Sequence, residues 1–196
     1  MVNSLKMKQR IIQNVKIRRV VAGDLDECFT IESTCYTTDA ANREKIEKRI
    51  ALFPAGFLVA EVNGQVVGMI NSGATNKEDI TDDAFKDMID HINHGKHIVI
   101  FSLAVLPEFQ GVGISRKLMV KFIEVSRGLK KEKILLMCKS GLISYYRKYD
   151  FALRWKIKVG TWRFRMARNV FTAVKAIDIS KTKRYGTDNK PEPLDS

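Results

Sequence analysis

The chain has 196 residues, of which 45% are hydrophobic and 29% charged, and 34 Lys and Arg outnumber 22 Asp and Glu for a net charge of +12. That is enough apolar material for one domain of ordinary size, it excludes a fibrous or disordered chain, and no apolar run is long enough to cross a membrane as a helix. The basic residues are spread along the chain and match no nucleic-acid recognition motif, so the excess charge reads as a solvated basic surface or as a surface for a polyanionic ligand.

The N-terminal stretch MVNSLKMKQRIIQNVKIRRV lacks the apolar core and cleavage site of a secretory signal, and a cytoplasmic protein is expected. Residues 14–20 alternate apolar and polar, as a first strand does. GDLDECFTIEST follows as a helix with Leu25, Cys28, Phe29 and Ile31 on its apolar side and Asp24 as its cap. A second helix, NREKIEKRIALFP, is capped by Asn42, buries Ile46, Ile50 and Phe53, and stops at Pro54. Two apolar runs joined by Asn63-Gly64 form a hairpin. Residues 76–96 are a polar excursion with one amphipathic turn at Phe85, Met88 and Ile89; excursions of this length are often functional.

HIVIFSLAVLP, the most apolar run, is expected as the central strand, covered on both faces. GISRKLMVKFIEVSRGL is a helix burying Leu118, Val120, Phe122, Ile123 and Val125. KILLMC is a short strand, GLISYYRKYDF a helix ending in aromatics, and RWKIKVGTWRFRMARNV one or two strands around Gly160. From Ser180 the chain is polar, with two prolines, and reads as a frayed tail. The order implies a mixed α/β sheet with a parallel strand-helix-strand unit in its second half. The three cysteines, Cys28, Cys35 and Cys138, form no close pair; they read as reduced core or half-buried thiols, with a nucleophile as the minority case.

Between the central strand and the following helix stands QGVGIS, residues 110–115. Glycines at such a junction let backbone N–H groups approach a ligand, and the helix start adds partial positive charge. The segment is therefore a pyrophosphate cradle or simply a tight turn. It is neither a P-loop nor a dinucleotide fingerprint, because residue 116 is Arg116 where the latter needs its third glycine.

The pattern Gln110, Gly113, Ser115 after an apolar strand resembles the Q/R-x-x-G-x-G/A acetyl-CoA signature of the GNAT superfamily of N-acetyltransferases, with serine at the last position. CYTTDAANREKIEKRIALFPAGFLVAEVNGQVVGMINS, ITDDAF, SLAVLPEFQGVGISRKLM and LLMCKSGLISYYRKYDF extend the likeness over residues 16–151, and within the superfamily they resemble the aralkylamine N-acetyltransferase branch and its bacterial relatives. The resemblance implies a GNAT domain over residues 15–179, between an N-terminal extension at 1–14 and a flexible tail at 180–196, with a mostly antiparallel sheet flanked by helices. It implies acetyl-CoA as cosubstrate and no metal. Leu103, Ala104 and Val105 would line the pantetheine arm, with the backbone of Leu103 and Val105 pairing to it. Gln110, Gly111, Val112, Gly113, Ile114 and Ser115 would hold the pyrophosphate, and Arg116 or Lys117 the ribose phosphate.

Direct transfer to an amine needs a base, a donor for the thioester oxygen and an acid for the leaving thiolate. The resemblance puts the donor at the backbone N–H near Val105 and the acid at Tyr146; the alternative for Tyr146 is a packed aromatic, with Tyr145 the stronger candidate for packing. Two histidines of the vertebrate branch correspond to Val99 and Phe101, which take no proton. HINHGKH spaces His91, His94 and His97 at three-residue intervals without a further ligand. These are expected to be ordinary surface or strand-edge histidines, with a water relay through His97 as the alternative. Glu32, late in the first helix, matches a glutamate near the amine in insect relatives and is the expected base; the alternative is a solvent-exposed helical glutamate, and Asp39 is next in line.

The function that follows is transfer of acetyl to the primary amine of a small molecule, arylalkylamine or polyamine-like. Its acceptor wall would lie at residues 35–41 and 76–96, the acidic KEDITDDAFKDMID leaning toward a cationic substrate. The competing readings are a protein N-terminus or lysine as acceptor, or a non-catalytic CoA-binding module. Neither nucleic acid nor membrane is expected as a partner, and the protein is expected as a monomer or homodimer.

Overall fold

The computed structural model describes residues 14–36, 40–78, 80, 83–156 and 170–176. Among these, seven strands form one sheet in the order β1-β2-β3-β4-β5-β7-β6. The strands are β1 (Lys16–Arg19), β2 (Leu58–Val62), β3 (Gln65–Thr75), β4 (His97–Val105), β5 (Lys133–Lys139), β6 (Ala152–Lys156) and β7 (Val170–Ala176). Every described pairing is antiparallel except β4 with β5. The helices are α1 (Leu25–Cys35), α2 (Arg43–Leu52), α3 (Ile114–Gly128) and the short α4 (Ile143–Arg147). α3 is the crossover between the two parallel strands, as the sequence order requires.

The β2–β3 hairpin turns at Asn63 and Gly64, which take φ of 51° and 84° and set Val62 opposite Gln65. These left-handed angles are those of the primed turn that matches strand twist. Asn42 caps α2 by accepting from the Lys45 N–H at 2.9 Å. Asp24 does not cap α1 as the sequence suggested. Its carboxylate turns back to the Val21 N–H at 2.8 Å and to the Arg18 guanidinium at 2.7 Å. Arg18 also pairs with Glu61 of β2 at 2.6 Å, and the charged guanidinium six residues before Asp24 outcompetes the local cap. α3 buries Ile114, Leu118, Met119, Phe122, Ile123 and Ser126 at helical spacing, while Val120 and Val125 are half-buried.

The sheet separates two apolar layers. α3 covers one face with Leu118, Phe122 and Ile123 against Ile70, Ile98 and Ile134. On the other, Cys28 and Ile31 of α1 and Ile46 and Ile50 of α2 lie over Val59, Met69 and Ala104. β4 serves both layers through a bulge: Ile100 pairs with Ser72 and Ser102 with Asn71, so Phe101 has no partner on β3. The extra residue shifts the alternation by one. The 76–96 excursion packs onto the sheet through Ile80, Phe85 and Met88, and only Ile89 of the expected amphipathic turn is exposed. Three of its acids are paired: Asp87 with Lys45, Asp90 with Lys77, and Glu78 with Lys133. The strands expected around Gly160 fall partly, and the frayed tail wholly, outside the described residues.

Candidate functional site

β4 and β5 run together only from His97–Ile100 against Lys133–Leu136. Beyond that point β5 follows β7 and β4 follows β3 as far as Val105, so the parallel strands part. The N–H and C=O of alternate residues then face the gap. Leu103 is one: its N–H donates to the Tyr36 hydroxyl at 3.2 Å, and the same hydroxyl donates to its C=O at 3.0 Å. Val105, two residues on, points the same way, and its C=O accepts from Gln110 Nε2 at 2.8 Å and Cys35 Sγ at 3.3 Å. Ala104 turns its backbone to β3 and its side chain into the layer under α1.

The glycine turn follows directly. Val112 and Ile114 are buried and pin the loop to the core, while Gly111 and Gly113 face outward at φ of 75° and 83°. A Cβ built on either glycine would meet nothing within 4 Å, so open space lies above both. Gly113 is the N-cap of α3 and supplies no side-chain cap. The first N–H groups of a 15-residue helix therefore point at that space without intrahelical partners. Uncapped donors, a helix start and room above left-handed glycines fit the phosphates of a coenzyme. Gln110 does not reach outward: its side chain is bonded to Val105 and its N–H to the Pro107 C=O at 3.2 Å. Arg116 is exposed on the first turn of α3.

On the far side of the gap stand β5 and α4. Tyr146 is 8% exposed, its ring edge-on to Tyr145 at 5.1 Å and to Phe151 at 5.7 Å. It is more buried than Tyr145, the reverse of the expectation for the two. Burial holds its hydroxyl protonated well above the usual phenol range, and the nearby Tyr36 hydroxyl adds to this. Tyr36 is pushed up to about 12, by burial first and the Glu32 carboxylate second. Burial thus holds both hydroxyls neutral.

Glu32 is not the exposed helical glutamate that was the alternative. It is 3% exposed; Oε1 accepts from the Ala41 N–H at 3.1 Å, and Oε2 has no hydrogen-bond partner among the described residues. A buried carboxylate oxygen without a partner is costly and calls for a cation or a donor. Arg49 is equally buried, donating to Asn71 Oδ1 at 3.1 Å and to the Lys86 C=O at 2.9 Å, with its guanidinium 4.8 Å from the Phe101 ring centre. Asn71 in turn donates to Ser102 Oγ at 2.5 Å. Glu32 and Arg49 feel each other's charge without forming an ion pair. Asp39 lies outside the described residues.

Val99 and Phe101 stand in an apolar cluster with Ile80, Phe85 and Leu135, so no proton acceptor replaces the relatives' histidines there. His97 cannot relay protons to the gap. It opens β4, eight residues and about 26 Å from Val105, with Glu78 Oε1 at 3.8 Å from its Nε2. His91 accepts from the Ala74 N–H at 3.0 Å and lies against Phe53, a structural position. Among the described residues no group of three His, Cys, Asp or Glu is disposed to hold a metal. Sequence reasoning missed Tyr36, counted only within a wall segment, and Arg49, counted only among the basic residues spread along the chain.

The model of the acetyltransferase (GNAT) family matches residues 25–151. The chain is 23% identical over 152 residues to the uncharacterized N-acetyltransferase YkwB of Bacillus subtilis; the match covers 71% of this chain and 66% of that protein. Its fold matches the loading GNATL domain of CurA from Lyngbya majuscula with a TM-score of 0.74 at 14% identity, over 83% of this chain and 98% of that one. It also matches Arabidopsis thaliana Naa50, solved with the bisubstrate analogue CoA-Ac-MVNAL, with a TM-score of 0.64 at 18% identity, over 83% and 99% of the two chains.

Proposed function

The chain belongs to the GNAT acetyltransferase family, and from that premise we propose that it moves the acetyl group of acetyl-CoA to the primary amine of a small molecule, as the aralkylamine branch it resembles does. The observation that carries the acceptor class is Glu32: an enclosed carboxylate with one unpartnered oxygen suits an ammonium group that enters a closed site. The packed excursion, anchored by Ile80, Phe85 and Met88, favours such a site over an open peptide groove.

The N–H groups of residues 111–116 hold the pyrophosphate, Arg116 or Lys117 attends the ribose phosphate, and the β4 edge at Leu103 and Val105 aligns the pantetheine arm. Bound there, the cosubstrate supplies an acyl carbon activated as a thioester. Glu32 Oε2 receives the acceptor ammonium and takes its proton, passing it on to water. The free amine then forms the C–N bond as the C–S bond breaks and gives up its second proton to water, with the Val105 N–H facing the charge that develops on the carbonyl oxygen. The Tyr146 hydroxyl gives its proton to the leaving thiolate and is reprotonated from solvent, so the turnover releases amide, thiol and one proton. Burial keeps that hydroxyl protonated at neutral pH, so its proton is present when the thiolate leaves.

Thiol release from acetyl-CoA, measured with tryptamine, phenethylamine, spermidine, lysine and a short peptide, tests the reading. One amine class is expected to turn over. Tyr146→Phe should lower its rate on the order of 10²-fold and Glu32→Gln should raise its KM by about tenfold. Turnover of the peptide alone would replace the small amine with a protein N-terminus.

A further inference from the structure

Every backbone acceptor that Leu103 and Val105 turn to the gap is already satisfied, and by side chains. Tyr36 Oη donates to Leu103 C=O at 3.0 Å and accepts from Leu103 N–H at 3.2 Å. One atom thus does for Leu103 what the N–H and C=O of a neighbouring strand would do. Gln110 Nε2 and Cys35 Sγ take Val105 C=O at 2.8 and 3.3 Å. The arrangement is local to the parting of the strands, because upstream of it β5 supplies the partners.

A pantetheine arm offers two secondary amides, each one N–H and one C=O, to the same backbone groups. Leu103 has a single N–H, and it is committed to Tyr36 Oη at 3.2 Å. Tyr36 and a C=O of the arm therefore compete for the Leu103 N–H. Nor is Tyr36 isolated: it is partly buried against the layer under α1, and its N–H donates to the Glu32 C=O at 3.0 Å at the end of α1.

We propose that Tyr36 is a residue of the cosubstrate site that occupies the β4 edge in the free protein as a stand-in for the pantetheine amide, and that coenzyme A binds by exchanging it off Leu103. This rests on the assignment of the Leu103–Val105 edge to the pantetheine arm. The exchange makes no new class of bond: Leu103 trades a phenol for an amide, and Tyr36 regains water. The stand-in thereby lowers the apparent affinity by the fraction of molecules in which Leu103 is free.

Calorimetric titration of the full chain with coenzyme A, parent against Tyr36→Phe, reads that fraction. Loss of two net hydrogen bonds in the free state predicts binding about 5- to 30-fold tighter in the variant. Equal or weaker binding overturns the proposal, since it means that Tyr36 keeps its bonds or helps to hold the ligand. A 3-fluorotyrosine at position 36 gives a second readout that does not depend on the variant folding. Its ¹⁹F resonance should move toward the solvent-exposed value at saturating coenzyme A, and an unmoved resonance overturns the exchange. Coenzyme A binding with Tyr36 unmoved sinks this inference alone; no binding at all sinks the cosubstrate site with it.

Discussion

Gly113 and Gly95 are required for opposite reasons, and substituting each by alanine separates them. At Gly113 the backbone sits at φ +83° and a Cβ would touch nothing within 4 Å. The cost of Gly113→Ala is therefore conformational: about 1–2 kcal/mol for a left-handed alanine, reduced by about 0.4–1 kcal/mol because the unfolded chain is also restricted. A net of about 1 kcal/mol corresponds to a fall in Tm of about 2–4 °C for a chain of this size. At Gly95 the Cβ would lie 2.6 Å from Thr75 N and 2.7 Å from Thr75 C, both backbone atoms that cannot step aside. Gly95→Ala should cost at least twice as much as Gly113→Ala. The assay is thermal unfolding by circular dichroism, paired with coenzyme A titration. Gly113→Asn is the control, because asparagine tolerates the left-handed region, and it should recover at least half of the lost Tm. Coenzyme A binding should stay weak in both Gly113 variants, whose side chains project into the space over the helix start. A neutral Gly113→Ala, or an Asn variant no better than Ala, would refute the claim that the left-handed angle is what the turn demands.

Acid should weaken the fold before it protonates carboxylates. His91 and His97 both have pKa values lowered from 6.5 by burial, so the unfolded chain binds more protons as pH falls below about 6.5, and stability is lost from there down to the folded-state values. Tm should fall between pH 7 and 5.5, and His91→Gln should flatten the slope; an unchanged slope would remove His91 as a cause. The three thiols should alkylate unequally in the native protein. Cys28, buried and pushed up to about 12, should be inert, and Cys35, half-buried and raised by burial, should react slowly; fast labelling of Cys28 would contradict its place under α1. Lys131 donates to the Asn93 and Gly95 carbonyls at 3.0 and 2.7 Å from a buried position. Lys131→Met should leave the buried Gly95 carbonyl unpaired at about 1–3 kcal/mol, read as a lower urea midpoint at unchanged m-value.

Local chemistry made much of this molecule legible. Asn63-Gly64 announces its hairpin because few residues accept two consecutive positive φ angles, and Asn42 announces its helix because its side chain meets the Lys45 N–H three residues on. The apolar run 97–105 announces a strand covered on both faces. Glu32 carried a signal that was passed over: it lies seven residues after Leu25 and four after Cys28, on the apolar stripe, where a solvated glutamate does not belong. Asp24 and Tyr36 carried none. Their partners, Arg18 on another element and the Leu103 backbone 67 residues away, are chosen by the way strands and helices meet. The bulge at Phe101 was hidden for a similar reason. An apolar residue suits either face of a doubly covered strand, so the sequence does not record where the alternation slips.

The parting of β4 from β5 also bears on what happens between turnovers. A stretch of strand with unpaired backbone groups is a template on which another chain can add a strand, and proteins leave such edges bare at the risk of aggregation. On the proposed cosubstrate site, the bare stretch would open each time the ligand leaves. The Tyr36 hydroxyl, the Gln110 amide and the Cys35 thiol cover it without a strand, by bonds to Leu103 and Val105 that belong to single side chains. Such bonds break one at a time, where a β-ladder resists as a whole, so the empty enzyme can keep its edge hidden from its own copies and still yield it to a ligand.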